Sequence, residues 1–443
     1  MTHNDAIHIL QFGTGNFLRA FFEPMVQDLN ESNNQLNICI IQSTSGNTLE
    51  KLQAQNYQYH VLEAGIKNGQ NVQQIRKITR LKDGLKLPEE QEKFLAFAEV
   101  SSVKWIISNV TEAGMVMKKE GPFEKFAESF AGRLTQWLYR RFTQNPSLET
   151  VILPCELITK NGDLLKSFVL EHSRNWSLGE GFESWLNQKV FFFNNLVDRI
   201  VPGYPSHLEL EEKKTDSLLV QTEPYSFWAI EGKESDKILL PFLESKAEVI
   251  LKKDISPYAL RKIRILNGCH TYMAAKGLVL GYISVGEFMA DPKNEEVLNS
   301  LVDLEIIPFL GMDETELKNY KQEIFSRFKN PFVEHKLADI SLNSIAKFKS
   351  RLLPLIEPYK KSNKGQSPKE ISKGLLFLIL YYLENPDKIR DTEEVKALFS
   401  QLSEEVNKKN KVKYVIENLF DLEWNSSLED TFEDVLEEIK KSN

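Results

Sequence analysis

The chain opens with a short apolar run, Ile7 to Phe12, that stops at Gly13-Thr14-Gly15-Asn16-Phe17-Leu18-Arg19-Ala20-Phe21-Phe22. Strand, glycine turn and helix start in that order constrain the fold more than any other stretch, because they begin a strand–helix–strand crossover. Gly13 permits the tight turn, and Gly15 lets backbone N–H groups approach a pyrophosphate at the helix N-terminus. Leu18 stands where a third glycine would complete the dinucleotide fingerprint, so the pattern is only G-x-G-x-x-L. A purely structural turn fits it as well.

Three more apolar runs extend the same texture. Leu36 to Ile41 follows at the distance of the next strand of a mononucleotide-binding half. Its end, Gln42-Ser43-Thr44-Ser45, lacks the acidic residue that would bind a ribose 2′-hydroxyl, which leaves NAD and NADP both open. Trp105 to Val110 leads into Thr111-Glu112-Ala113-Gly114, and Val151 to Pro154 leads into Cys155-Glu156-Leu157-Ile158. Polar loops at such strand ends line the ligand crevice of open α/β sheets, although each is also ordinary loop chemistry. Between them Phe126, Phe130, Leu134 and Leu138 repeat at spacing four, predicting a helix over Phe123 to Phe142.

The organisation changes near residue 250. Beyond Asp254-Ile255-Ser256-Pro257 the chain reads as successive helices, with turn signals at Asp291-Pro292, Asn330-Pro331, Lys360 to Pro368 and Asn385-Pro386. The expected fold is α/β: a Rossmann-like doubly wound domain with extensions over 1–250, and a mainly α-helical substrate-binding or catalytic domain over 251–443. The apolar run Leu375 to Leu383 is far short of the roughly 20 residues that span a bilayer and reads as a buried helix.

Ser256-Pro257 is a credible helix start, and the helix it begins carries Lys262, Asn267 and His270. At about 100° per residue Asn267 lies roughly 140° and His270 roughly 80° around from Lys262, over an axial span of about 12 Å. One face therefore offers an amine, a carboxamide and an imidazole to one small molecule. A lysine that loses hydration at the inner edge of a cleft favours the neutral amine, which accepts a proton near neutral pH. A carboxamide donates to a carbonyl oxygen as negative charge grows on it. The competing reading is a solvated lysine, a capping asparagine and a satisfied core histidine.

Composition removes several function classes. The formal net charge is −8, and no long basic patch interleaved with aromatics occurs, so neither a nucleic-acid nor a membrane partner is expected. The 3 cysteines, Cys39, Cys155 and Cys269, are too scattered for a disulfide framework and point to a reducing cytoplasm. No basic segment followed by a long apolar stretch marks the start as a secretory signal. Metal-ligand spacings, a Gly-x-Ser-x-Gly elbow and a Walker loop are all lacking, so no metal is expected.

Taken in order, Gly13 to Phe21, Ser108-Asn109-Val110-Thr111-Glu112-Ala113-Gly114, Leu153 to Ile158, Asn194-Asn195-Leu196-Val197-Asp198-Arg199-Ile200, Glu223-Pro224-Tyr225 and the Lys262/Asn267/His270 set resemble the polyol-specific long-chain dehydrogenases. This is the family of mannitol dehydrogenase, fructuronate reductase and tagaturonate reductase (altronate oxidoreductase). Gln11 to Phe21, Leu153 to Ile158 and Leu266 to Thr271 are most similar to the tagaturonate reductase branch. The resemblance implies an NAD-dependent, metal-independent oxidoreductase that interconverts tagaturonate and altronate in hexuronate catabolism. It also implies roles: Lys262 as general acid/base, Asn194 and Asn267 as donors to the reacting oxygen, and His270 holding a neighbouring hydroxyl. Cofactor contacts would come from Gly13, Gly15, Asn16, Phe17, Thr111 and Glu112, with substrate in a cleft between the two domains. Some relatives carry a glutamate shortly before the lysine as a proton path; Pro257 to Arg261 offers none, which leaves the proton exit open.

A uronate also needs a cation for its carboxylate. The candidates are Arg199, Lys347, Lys349 and Arg351, against a solvated basic helix face. Fructuronate or an uncharged polyol such as mannitol remains an alternative substrate, and a nucleotide-binding sensor without turnover is the alternative of another class. Oligomeric state is left open.

Overall fold

The computed structural model describes residues 6–31, 35–67, 69–110, 114–333, 335–402 and 407–442. The chain divides into two compact units, Met1–Ile255 and Ser256–Asn443.

The first unit is built on β1 (Ile9–Phe12), β2 (Ile38–Gln42), β3 (Tyr59–Lys67), β4 (Gln70–Ile78), β5 (Leu81–Lys86), β6 (Trp105–Ser108), β7 (Thr150–Pro154), β8 (Val190–Phe192), β9 (Asn195–Asp198), β10 (Val220–Thr222), β11 (Phe227–Glu231) and β12 (Glu248–Lys252). Six of them form one sheet in the order β5-β2-β1-β6-β7-β8, with every pairing parallel. β1 is flanked by the strands that follow it on either side, with Ile9 opposite both Ile38 and Trp105. The strand order reverses there, which is where open α/β sheets take ligands.

The strands read as continuous apolar runs because both faces are covered. Ile9, Ile38, Ile40, Ile107, Val151 and Leu153 join one buried cluster, while Leu10, Cys39, Ile41, Ile106 and Ile152 join another. The first cluster includes the inner face of the Asn16–Glu31 helix, and the second that of the Phe130–Gln144 helix. That second helix is shorter than its periodicity suggests. Ser129 takes an extended conformation, and its hydroxyl accepts the Gly132 N–H at 3.1 Å. The cap starts the helix there, and the aromatic spacing over Phe123 to Phe126 lies in the approach to it.

Two smaller sheets extend the unit, β10-β3-β4 and β12-β11-β9. β12 pairs with β11 from Phe227↔Glu248 to Glu231↔Lys252, which carries the first unit to Ile255, past the composition break near 250.

In the second unit the Lys369–Glu384 helix is buried along most of its length and packs against the Asn267–Val279 helix and the Ser426–Ser442 helix. Its first turn is capped from outside: the Glu305 carboxylate accepts the N–H groups of Glu370 and Ile371, each at 2.8 Å. Lys276, almost fully buried on the Asn267–Val279 helix, pairs with Glu438 at 2.7 Å and ties down the last helix. No described helix is long and apolar enough to cross a membrane.

Candidate active site

In the first unit the singled-out residues gather at the carboxyl ends of the parallel strands. After β1, Gly13 has φ +116°, a region open to glycine, and a Cβ there would stand 3.3 Å from the Asn109 carbonyl oxygen at the end of β6. Gly15 and Asn16 are exposed, and a Cβ on Gly15 would meet nothing within 4 Å. The turn is held from below by Arg19, which donates to Thr14 O at 3.2 Å, to Asn16 Oδ1 at 2.6 Å and to Leu218 O. Phe17 is half-buried and stacked on Phe21 with centroids 4.9 Å apart, so its ring supports the helix start. An open backbone cradle at the N-terminus of a 16-residue helix fits a pyrophosphate.

After β2, the Gln42 carboxamide organises the following loop. It donates to Thr44 O and Gly46 O and accepts from Leu49 N. After β6, Asn109 donates to Cys155 O at 2.7 Å, and Val110 N–H donates to Glu156 Oε1 at 2.9 Å, joining the β6 and β7 loops. Thr111 and Glu112, expected at this edge, lie outside the described residues.

Beyond β8, Asn194 is buried and its carboxamide is paired at both ends with Asp163: Oδ1 accepts the Asp163 N–H and Nδ2 donates to the carboxylate, both at 2.9 Å. Close approach makes this possible, since a Cβ on Gly162 would sit 2.4 Å from Phe193 O and 2.8 Å from Asn194 N.

Glu156 is 3 % exposed, and burial pushes its carboxyl up to about 7 from the usual 4.5. A carboxyl raised in the folded state adds stability that is complete below its unfolded value and is lost as pH rises through about 7. Thermal melts from about pH 5 to about pH 8 should therefore fall more steeply in the native protein than in Glu156→Gln, which keeps the acceptor for Val110 and cannot ionise. Equal slopes would remove Glu156 as the titrating group.

In the second unit Ser256–Arg261 and Asn267–Val279 are α-helical, but Lys262–Leu266 between them is a π-turn. The Asn267 N–H donates to the Lys262 carbonyl, five residues back. This corrects the angular estimate from a regular helix. A turn closed over five residues holds more residues than an α-turn, so Asn267 lies closer in angle to Lys262 than the roughly 140° of a regular helix, and His270 follows three α-residues later on the same side. The insertion gathers the three groups more tightly than an α-helix would.

The wide turn is clamped from outside. Arg261 is buried over the Tyr320 ring at 4.3 Å and pairs with Glu316 at 2.8 Å. Arg264 donates to the carbonyls of Ser350 and Arg351, each at 2.6 Å. Lys262 and Asn267 are half-buried, while His270 is 8 % exposed. The His270 ring lies 4.7 Å from Phe328 and 4.8 Å from His335, and its Nε2 has no hydrogen-bond partner among the described residues. Burial, then the coupling to His335 and the positive charges of Arg327, Arg351 and Lys347, holds it well below the ordinary histidine range. It is a neutral imidazole with one nitrogen left for a ligand.

The four expected carboxylate binders divide. Arg199 belongs to the first unit, where it is buried and donates to Glu63 Oε2 at 2.8 Å, Ala20 O at 2.6 Å and Glu223 O. It serves the fold there. Lys349 is exposed and lies over the Phe420 ring at 5.7 Å. Lys347 and Arg351 are the two whose charges reach His270. Arg327 and His335, which bear on His270, were not singled out in the sequence, nor was Arg19, which sits inside the glycine motif.

A parallel sheet of this order with a glycine turn after its central strand, continued in the chain by an all-helical unit, defines a Rossmann-type protein with a helical companion domain. Residues 7–240 match the model of the mannitol dehydrogenase Rossmann domain and residues 254–440 that of the mannitol dehydrogenase C-terminal domain. The chain belongs to the mannitol dehydrogenase family. It is 34 % identical to altronate oxidoreductase of Bacillus subtilis (strain 168) over 403 residues, 89 % of this chain and 83 % of that protein. With altronate oxidoreductase of Halalkalibacterium halodurans it shares 36 % over 384 residues, 84 % of this chain and 75 % of that protein. Among solved structures, a substrate-free D-sorbitol dehydrogenase superposes with TM-score 0.80 at 20 % identity, covering 99 % of this chain and 95 % of that one. A ternary complex of Pseudomonas fluorescens mannitol 2-dehydrogenase with NAD and D-mannitol gives 0.70 at 20 % identity, covering 98 % and 93 %.

Proposed function

We propose that this chain is an NAD-dependent oxidoreductase that reduces tagaturonate to altronate, reversibly and without a metal, with Lys262 as general acid/base. The observation that carries the reading is the π-turn, which lines up an amine, a carboxamide and a neutral imidazole along one face. The relatives named altronate oxidoreductase support the substrate class.

The cradle of Gly13, Gly15 and Asn16 would hold the pyrophosphate, and the end of β2, Gln42 to Ser45, carries no carboxylate to read the ribose, so NADP is the competing coenzyme. Bound NADH supplies the hydride that reduces the carbonyl carbon. As negative charge grows on the oxygen, the Asn267 carboxamide donates to it, with Asn194 as the second donor that the family resemblance implies. The Lys262 ammonium then gives its proton to that oxygen; in altronate oxidation the amine takes the hydroxyl proton back. His270 Nε2, without a hydrogen-bond partner among the described residues, takes a neighbouring hydroxyl of the substrate. Three buried free cysteines suit a reducing cytoplasm.

NADH absorbance with tagaturonate, fructuronate and fructose as separate substrates tests the reading. Tagaturonate is expected to give the highest kcat/KM. Consumption with fructose alone would assign a polyol dehydrogenase, and NADH binding with no turnover on any of the three would favour a sensor.

A further inference from the structure

We propose that Lys347 and Arg351 form a built subsite for the carboxylate of an acidic sugar, set beside the Lys262, Asn267 and His270 face. The proposal rests on the reading of that face as the reacting end of the substrate site.

The two residues stand four apart on the Ser344–Arg351 helix, so they share one side of it, while Lys349 faces away toward Phe420. Three side-chain cations and His335 act on His270. Of the three, Arg327 is only 7 % exposed at the last turn of the Glu314–Phe328 helix. Lys347 and Arg351 are half-buried and are the ones a ligand can reach.

Arg351 is fixed from one side only. Its Nη1 donates to Asn267 O at 3.3 Å and to Thr271 Oγ1 at 3.0 Å, so the guanidinium is anchored on the helix that carries Asn267 and His270. The Nε–Nη2 edge, the one that matches a carboxylate with two parallel N–H groups, makes no hydrogen bond among the described residues. Lys347 Nζ donates to Ile340 O at 2.8 Å, which orients the ammonium and leaves two of its three donors.

Neither cation is neutralised by a protein ion pair among the described residues. Asp391 bears on Lys347, but its carboxylate already accepts the Ile345 N–H at 3.1 Å and the Tyr382 hydroxyl at 2.9 Å. Burial pulls Arg351 down to about 10, the mark of a guanidinium that has lost water without gaining an anion. Two half-desolvated cations without a counter-ion are costly in the free protein, and a ligand carboxylate offsets that cost. His270 Nε2, nine-tenths buried and without a hydrogen-bond partner among the described residues, is the independent sign that a ligand belongs here. The subsite therefore selects a sugar acid over the matching neutral polyol or ketose.

The full-length protein and its Arg351→Gln and Lys347→Gln variants would be assayed with NADH against tagaturonate and against tagatose, which carries a hydroxymethyl group in place of the carboxylate. Altronate and altritol binding would be titrated calorimetrically on the same proteins. Arg351→Gln should lower kcat/KM for tagaturonate by about 10²-fold or more, chiefly through KM, with a tagatose loss at least about tenfold smaller. Lys347→Gln should act in the same sense more weakly, and Arg351→Lys should recover part of the loss. Equal losses on both substrates in variants that melt like wild type would overturn the subsite, as would wild-type protein that binds altronate no more tightly than altritol. Altronate binding that is lost in Arg351→Gln, in a protein that turns over neither ketose, would leave the subsite standing and remove the reaction.

Discussion

Lys262→Ala is expected to bind NADH as the native protein does and to lose about 10²- to 10⁴-fold in kcat, the range that proton transfer by a positioned side chain contributes. The two effects should separate because the glycine cradle belongs to the first unit and Lys262 to the second. The fold should survive, since the clamps on the π-turn are Arg261 with Glu316 and Arg264 with the Ser350 and Arg351 carbonyls. Fluorescence titration of NADH and steady-state rates across pH on one preparation check both halves. Small primary amines added to the variant should restore part of the rate, because they supply the missing proton carrier without a tether. Turnover equal to wild type at every pH would take the acid/base role from Lys262.

Much of the first unit could be read from periodicity because its strands are covered on both faces. Runs such as Val151 to Pro154 then stay apolar at every position, and Gly13 marks the turn by needing a positive φ. What went unread is set by partners distant in sequence. β10 joins β3 across more than 150 intervening residues, and β9, β11 and β12 become a sheet only when brought together. The hairpin of β3 and β4 did carry a local sign, since Asn68-Gly69 is a two-residue turn signature between alternating runs. The helix start at Ser129 was also local, and the aromatic spacing upstream masked it.

The site shows the same division. Lys262, Asn267 and His270 were visible as residue types, but Lys262 to Leu266 reads as plain α-helix. Nothing in five ordinary residues announces a π-turn; it follows from what Arg261 and Arg264 grip on neighbouring elements. Charge alone could not separate the four basic candidates. Arg199 and Arg351 look alike in sequence, yet one has Glu63 and two backbone carbonyls around it, and the other has an open edge.

That π-turn makes Asn267 the second decisive position. Its N–H closes the five-residue turn onto the Lys262 carbonyl, so the carboxamide is carried to the side where the amine stands. Asn267→Ala keeps the backbone bond and removes only the donor. The expected result is a fall in kcat of about 10²- to 10³-fold, the cost of one lost donor to a developing alkoxide. Asn267→Asp should do at least as badly, because a carboxylate there opposes the growing negative charge. KM should move little in either variant if the contact strengthens only as the carbonyl is reduced, and the thermal midpoint should stay near that of the native protein. A larger KM with kcat preserved would make Asn267 a contact of the bound ground state. Turnover within a few-fold of wild type would mean that the widened turn serves the packing of Leu266 and Gly268 and leaves the reacting oxygen to other donors.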